Sequence, residues 1–204
     1  ELYKNIGIAY YYKSYYDNAI KYYEKYSAIF VEDPDILSSI ASAYWQLGNY
    51  EQSISSLEEA ILLSNEELYL KRSLLYKKYH SNNIESNKYI DELTQLLEKS
   101  ESYRDSMNTY SDMKDHYVHL GHIKQSYEYV EKISDMHRKK YGRLSSMKTL
   151  LSTHQIYIFK QLNMMDSVKT YIDYYAENSV APYDNRVPYL KCKYYLYMEN
   201  YDML

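Results

Sequence analysis

Residues 6–26, IGIAYYYKSYYDNAIKYYEKY, and residues 40–60, IASAYWQLGNYEQSISSLEEA, follow one pattern, 34 positions apart. Small residues align with small ones and large apolar residues with large ones, in the pairs Gly7 and Ala41, Tyr10 and Tyr44, Ala19 and Ser53, and Tyr23 and Leu57. Self-similarity at a fixed period of this length is typical of a supersecondary unit that recurs along the chain.

The spacing within one repeat predicts a helical hairpin. Apolar and small residues from Tyr3 to Tyr10 recur at i, i+3, i+4 and i+7, which places them on one face of a helix. After a turn at Lys13–Tyr15, the residues from Tyr16 to Tyr26 repeat that spacing, and the small residues Gly7 and Ala19 allow the two helices to approach closely. One hairpin cannot bury both of its faces, so we expect successive hairpins to stack.

These positions resemble the tetratricopeptide repeat, a helix–turn–helix of 34 residues. Its small eighth and twentieth residues and its aromatic eleventh and twenty-fourth residues correspond here to Gly7, Ala19, Tyr10 and Tyr23. The resemblance implies an all-α fold, a right-handed helical solenoid of five to six hairpins. Asp33 and Pro34 are expected to cap and open the third helix.

We predict a single solenoid with repeats at about 1–34, 35–64, 65–102, 103–142, 143–181 and 182–204. A capping box at residues 64–67 is expected to open the third repeat, and residues 82–83 to divide it. Its second helix lacks an alanine-like position, so we regard this repeat as degenerate. The sixth repeat is incomplete, from which we expect the segment to belong to a longer chain. All three prolines are expected between helices or at a helix start.

Composition excludes several classes of function. The chain has 24 Lys and Arg against 28 Asp and Glu, a net charge of −4, which predicts no nucleic-acid contact through this segment. No apolar run approaches the roughly 18 residues of a membrane span. Cys192 is the only cysteine, which excludes an internal disulfide, and we expect it to be a small buried residue of a helix. The 31 tyrosines are open to a functional or a purely compositional explanation.

No motif predicts catalysis, a cofactor or a metal. The chain has only 4 glycines and contains neither a phosphate-binding loop nor a nucleophile elbow, so we predict a non-enzymatic segment. A zinc site at His116, His119 and His122 is the alternative to a packed His116 with two solvated histidines, which we favour. The basic residues at 138–140 and Arg143 suit a helix C-terminus, and an acidic ligand is the other interpretation.

The resemblance also implies where a partner binds. In such solenoids the first helices line a concave groove, and the positions that face it give the predicted partner-binding residues Tyr11, Tyr12, Trp45, Tyr157, Lys160, Lys193 and Tyr197. The aromatic members would be anchors, because Tyr and Trp are enriched at binding hot spots; packing against neighbouring repeats is the alternative. The two-carboxylate clamp of chaperone-binding relatives is not matched, because Ile8 stands where that clamp has Asn.

We therefore predict non-catalytic recognition of a protein or peptide in the groove. The irregular, tyrosine-rich repeats are similar to sensor regions of bacterial signalling and transcription-regulatory proteins. That setting would place the segment in the periplasm if it is a membrane-tethered sensor, and in the cytoplasm if it is a soluble scaffold or regulator. The alternatives are a free-standing assembly scaffold, or the substrate platform of an enzyme whose catalytic domain lies outside this segment.

Overall fold

The computed structural model describes residues 1–30, 33–64, 67–143, 150–151, 153–178 and 186–198. Across these residues the chain forms eleven helices and no strand: α1 (Leu2–Tyr12), α2 (Tyr16–Ser27), α3 (Pro34–Gln46), α4 (Tyr50–Leu63), α5 (Leu68–His80), α6 (Ser86–Glu98), α7 (Tyr103–His119), α8 (Ile123–Tyr141), α9 (Thr153–Gln161), α10 (Met165–Asn178) and α11 (Arg186–Tyr197). The predicted all-α fold is confirmed. None of these helices is long and apolar enough to span a bilayer.

The helices belong to two compact units. Unit 1, Glu1–Glu101, holds the hairpins α1–α2, α3–α4 and α5–α6, and unit 2, Ser102–Leu204, holds α7–α8, α9–α10 and α11. Each hairpin lies within one of the repeat intervals given above. Their arrangement as one continuous solenoid stays a prediction.

The second helices share one burial pattern, which shows why the repeat has its sequence. Their fourth, eighth and eleventh residues are buried in all five hairpins, and they are Ala19, Tyr23 and Tyr26 in α2, Ser53, Leu57 and Ala60 in α4, Tyr89, Leu93 and Leu96 in α6, Ser126, Val130 and Ile133 in α8, and Val168, Ile172 and Tyr175 in α10. This spacing, i, i+4 and i+7, is one face of a helix.

The small residues allow the close approach predicted from the sequence. A Cβ atom built at Gly7 would lie 2.5 Å from Cε1 of Tyr23, so the aromatic ring occupies the volume that a larger residue would need. In two other hairpins a serine adds a hydrogen bond across the same contact. The Ser53 hydroxyl donates to the carbonyl oxygen of Ala41, and that of Ser126 donates to Lys114 over 3.1 Å.

Every hairpin turn contains a residue with a left-handed backbone. These residues are Ser14, Gly48, Asn82, Gly121 and Asn163, with φ between 54° and 78°. Such a residue ends a helix by turning the chain away from the helical path. The predicted divide in the third repeat is confirmed at Asn82, which lies between α5 and α6.

Helix ends agree with the sequence at two positions and differ at one. The Asp33 carboxylate accepts hydrogen bonds from the backbone N–H groups of Asp35 and Ile36, and Gly142 caps α8 with φ of 86°, both as predicted. Pro188 was expected between helices, but it is the third residue of α11. Proline is tolerated there because the N–H groups of a first turn have no partner within the helix.

The third repeat departs from the pattern at one residue. Tyr89 occupies the fourth position of α6, where α2 has Ala19 and α4 has Ser53. Its side chain is only 2% exposed, and its ring stacks on Tyr79 with centroids 4.6 Å apart. The repeat is degenerate because an aromatic ring fills the place of a small residue.

Several earlier expectations lie outside the described residues. They are the middle of the capping box at 65–66, the loop around Pro182, and the final segment 199–204.

A hydrogen bond joins the first helices of the second and third repeats. The Tyr69 hydroxyl of α5 donates to Oδ1 of Asp35 in the first turn of α3 over 2.6 Å. We expect Tyr69→Phe to lower the free energy of unfolding of unit 1 by about 1 kcal/mol, because it removes one hydrogen bond to a charged acceptor at a partly exposed site. Urea denaturation followed by Trp45 fluorescence measures this change. Tyr12→Phe, at an exposed tyrosine, is the control, and equal effects of the two variants would contradict the expectation.

Candidate functional site

The first helices of the first two repeats enclose a pocket of about 270 Å³. It is lined by Ile8, Tyr11, Tyr12, Tyr23, Ser38, Ser39 and Ser42. Two of these seven residues, Tyr11 and Tyr12, are among the predicted partner-binding residues. The structure thus brings the predicted residues Tyr11 and Tyr12 together at one concavity.

The two predicted tyrosines of this pocket differ in exposure. Tyr11 is half-buried, with its ring edge-on to those of Tyr12 and Tyr16 at 6.2 and 5.4 Å. Burial raises the pKa of Tyr11, with a smaller contribution from Tyr16, while a hydrogen bond with the Gln46 side chain works against this rise. Tyr12 is 82% exposed. Tyr11 is therefore a fixed wall of the pocket, whereas most of the Tyr12 ring is available to a partner.

The serines of the pocket bond to their own helix. The hydroxyls of Ser39 and Ser42 donate to the carbonyl oxygens of Asp35 and Ser38, over 2.8 and 2.9 Å. Because these two hydroxyl groups already donate to backbone carbonyl oxygens, they do not donate to a ligand. None of the lining residues carries a formal charge at neutral pH. The pocket suits an uncharged group with an apolar body.

Trp45 extends this surface toward the third repeat. Ser38, Ser42 and Trp45 lie at i, i+4 and i+7 of α3 and so share one face of the helix. The Trp45 ring contacts Tyr50 of α4 at 4.6 Å and Tyr76 of α5 at 6.2 Å between centroids, and Tyr76 contacts His80 at 4.2 Å. We call the pocket together with Trp45, Tyr50, Tyr76 and His80 the aromatic face of unit 1.

A buried amine lies against this face. Lys77 is only 6% exposed, and its Nζ lies 4.6 Å from the centroid of the Trp45 ring, in the geometry of a cation–π contact. Burial lowers the pKa of Lys77 to about 8. Trp45 is thus a packing residue, through its contacts with Tyr50 and Lys77, and it is also part of a surface that solvent reaches.

In unit 2 the predicted residues form two cation–π pairs. Nζ of Lys160 in α9 lies 5.4 Å from the Tyr197 ring of α11, and Nζ of Lys193 lies 4.9 Å from the Tyr189 ring. Tyr157 is exposed on α9. The structure therefore brings Lys160 and Tyr197 together from two neighbouring first helices.

Comparison with known proteins agrees with this architecture. A sequence model of the tetratricopeptide repeat matches residues 34–67, which include α3 and α4. Residues 34–67 are thus similar to a tetratricopeptide repeat, and the solved structures described below share the helical-repeat fold. No curated protein sequence matches it. Repeats of this kind are typically non-catalytic scaffolds for protein interaction.

Solved structures of helical-repeat proteins are similar to this chain in fold. PilF of Pseudomonas aeruginosa is 12% identical with a TM-score of 0.63, over 99% of this chain and 85% of that one. A putative kinesin light chain of Podosopora anserina is 13% identical with a TM-score of 0.60, over 94% and 93%. MamA of Desulfovibrio magneticus is 13% identical with a TM-score of 0.53, over 86% and 92%. At such identities the likeness shows the fold alone.

The third repeat supplies residues that the sequence analysis missed. Because the repeat was regarded as degenerate, no groove positions were assigned to it. Its first helix nevertheless keeps the 34-residue spacing, so Tyr76 corresponds to Ser42, and Lys77 to the fully buried Ala43. Extending the alignment through α5 would have found Tyr76.

The structure also places the three histidines of the possible zinc site and the single cysteine. His116 is buried, while His119 and His122 are exposed. This pattern agrees with a packed His116 and two solvated histidines. Over the described ranges no group of three or more His, Cys, Asp or Glu side chains could hold a metal ion. The expectation for Cys192 was wrong: it is exposed on α11, because its side of the helix is not the one that buries Leu190 and Tyr194.

The basic residues near the end of α8 have specific contacts. Arg138 pairs with Asp135 at 2.6 Å, Nζ of Lys140 lies 3.9 Å from the Tyr103 ring centroid, and Arg143 stacks on Tyr174 at 4.3 Å. Contacts with rings and with one carboxylate thus add to the favourable placement of cations at a helix C-terminus.

Proposed function

We propose that the aromatic face of unit 1 binds an extended segment of a partner protein and has no catalytic role. The observation that carries this proposal is the uncharged pocket between α1 and α3, with the 82% exposed Tyr12 at its rim and the Trp45 cluster further along the same face of α3. An apolar side chain of the partner would enter the pocket, and its flanking backbone would lie across α3.

Rigidity supports this mechanism. Tyr11 is held between Tyr12 and Tyr16, and Trp45 is held between Tyr50 and Tyr76. Because these rings already have fixed neighbours, binding would require little ordering of the protein side. Tyrosine and tryptophan also supply large contact areas with few rotatable bonds.

In unit 2 we propose a secondary contact at Tyr157, Lys160, Lys193 and Tyr197. The surrounding biology that best suits such a module is a sensor or interaction region of a larger bacterial signalling or transcription-regulatory protein, and a free-standing assembly scaffold is the second candidate. The similarity of repeat style supports the first. Peptide capture by the aromatic face is common to both.

The exposed ring of Tyr12 provides the test. Peptides are selected on the wild-type protein from a random library of acetylated and amidated decapeptides, and their affinity is measured by the fluorescence change of Trp45, the only tryptophan. We expect Tyr12→Ala to weaken binding about tenfold or more, as for an anchor residue, with an unchanged melting temperature. Tyr15→Ala, at an exposed tyrosine outside the pocket, should retain affinity. Equal affinities of the Tyr12 and Tyr15 variants would overturn the proposal.

A further inference from the structure

We propose that Lys77 makes the aromatic face selective for peptides that carry an acidic side chain in addition to their apolar anchor. This inference rests on the proposed function, since it names the chemistry of the partner at the same surface. It concerns the end of the face near α5, whereas the anchor enters the pocket near α1.

The first step is the position of the ammonium group. Nζ of Lys77 lies 4.6 Å from the Trp45 ring centroid, and the outer neighbours of that ring, Tyr50 and Tyr76, are 46% and 43% exposed. The positive charge therefore lies just beneath a surface that solvent reaches. A carboxylate resting on this cluster would be attracted to the ammonium group, and because Lys77 is only 6% exposed, solvent screens that attraction less than at an open surface.

The second step is the balance of charge around α5. This helix contains Lys71, Arg72, Lys77 and Lys78 but no Asp or Glu. Lys78 pairs with Glu58 of α4 at 2.7 Å, and Lys71 shares a cleft with Asp91 and Glu92 of α6. Within the part of the chain that the structure describes, Lys77 forms no ion pair, and its close partner is the Trp45 ring. Its charge is thus available to complement an anion on the partner.

The third step is that the charge at the α5 end of the aromatic face differs from the net charge of the chain. The whole chain has a net charge of −4, which disfavours acidic peptides in general. The pocket near α1 is lined only by uncharged residues. A preference for an acidic side chain would therefore have to come from the α5 end of the aromatic face, and an apolar residue would occupy the other end.

Proton uptake on peptide binding provides an independent test of the proposed role of Lys77. Burial lowers the pKa of Lys77 to about 8, so near that pH the group is partly neutral. A carboxylate docked nearby would favour the charged form and raise the pKa, so binding would take up protons, up to about half a proton per peptide at pH 8. The other titratable groups of this cluster are Tyr50 and Glu58 of α4, Tyr76, Lys78 and His80 of α5, and Tyr89 of α6.

The experiment compares peptides that differ in one charge. Each decapeptide selected on the wild-type protein is synthesised with Asp, and with the isosteric Asn, at each position on either side of its apolar anchor in turn, with both termini blocked to remove terminal charges. We expect the better Asp version to bind about tenfold more tightly than its Asn version. This difference should vanish in Lys77→Met and persist in Lys78→Met, whose lysine is on the same helix but already paired.

The outcomes are distinct. If selection yields no peptide that binds, the proposed function fails and this inference with it. If peptides bind but Asp and Asn versions are equal, or if the Asp advantage survives in Lys77→Met, the inference alone is overturned. Should Lys77→Met fail to fold, calorimetry of the wild-type protein at pH 8 in two buffers of different ionisation enthalpy decides the question. Proton uptake with the Asp peptide and not with the Asn peptide is expected, and equal uptake would overturn the inference.

Discussion

Replacing Lys77 by Met should raise the free energy of unfolding of unit 1 by about 2 kcal/mol at pH 7. The pKa of Lys77 is lowered by burial from 10.5 to about 8, so the folded protein bears an energetic penalty for holding this side chain charged at neutral pH. A shift of that size corresponds to about 3 kcal/mol. The cation–π contact with Trp45, worth about 1 kcal/mol, is lost with the charge and reduces the gain. Methionine fills a similar volume without a charge.

The stability difference between wild type and Lys77→Met should also depend on pH, in a direction that the lowered pKa determines. Between pH 8 and 10.5 the unfolded chain, with an ordinary lysine, binds more protons than the folded one, so stability from this group rises with pH in that window. The advantage of Lys77→Met should therefore shrink from pH 7 to pH 9.5. Urea denaturation followed by Trp45 emission measures both proteins at both pH values. Lys78→Met, at a partly exposed and paired lysine, should change stability by less than about 0.5 kcal/mol. A Lys77→Met protein less stable than wild type at pH 7 would contradict the expectation.

Tyr89→Ala should destabilise unit 1 by about 3–4 kcal/mol. The substitution places an alanine where the first repeat has Ala19, so a comparison with the family pattern alone predicts a gain in stability. The structure predicts the opposite, because the Tyr89 ring is 2% exposed and stacks on Tyr79, and its removal leaves a cavity between α5 and α6. Aromatic-to-alanine substitutions in cores cost about 3–5 kcal/mol.

The matched control for this prediction is Tyr89→Phe, which keeps the ring. We expect it to cost less than about 1.5 kcal/mol, since only the hydroxyl is lost. Chemical denaturation of the three proteins gives the comparison. An alanine variant as stable as wild type would mean that α6 moves inward to close the cavity, and that the degenerate repeat can return to the family geometry.

The sequence predicted the hairpins well where small and large residues alternate at fixed spacing. Ala19, Ser53, Ser126 and Val168 are buried at the same position of their helices. Such positions depend on size and periodicity, which can be read from one chain. The third repeat was harder because Tyr89 gives no sign of being an inner residue in a chain with 31 tyrosines.

Charged and polar residues were harder to predict for a different reason. Lys77 lies in a run of basic residues whose ordinary interpretation is a solvated helix end, and only the packing of α3 against α5 reveals that its stem and ammonium are enclosed beside Trp45. Pro188 was misplaced because α11 begins two residues before it, at Arg186, and Cys192 was misplaced because α11 buries the side that carries Leu190 and Tyr194. The groove positions Tyr11, Tyr12 and Trp45 could be proposed from the family pattern, whereas their neighbours could not.

The close contact of Gly7 with Tyr23 has a consequence for how this protein can change over generations. Since the ring lies where a Cβ would go, a larger residue at Gly7 can be accepted only after Tyr23 has become smaller, and the reverse order passes through a damaged protein. The second repeat shows the alternative solution, with Ala41 and Leu57 in one buried cluster. The sizes of the residues at these two positions are therefore coupled. The order in which mutations occur, and not only their combined effect, decides which repeat sequences can evolve from this one.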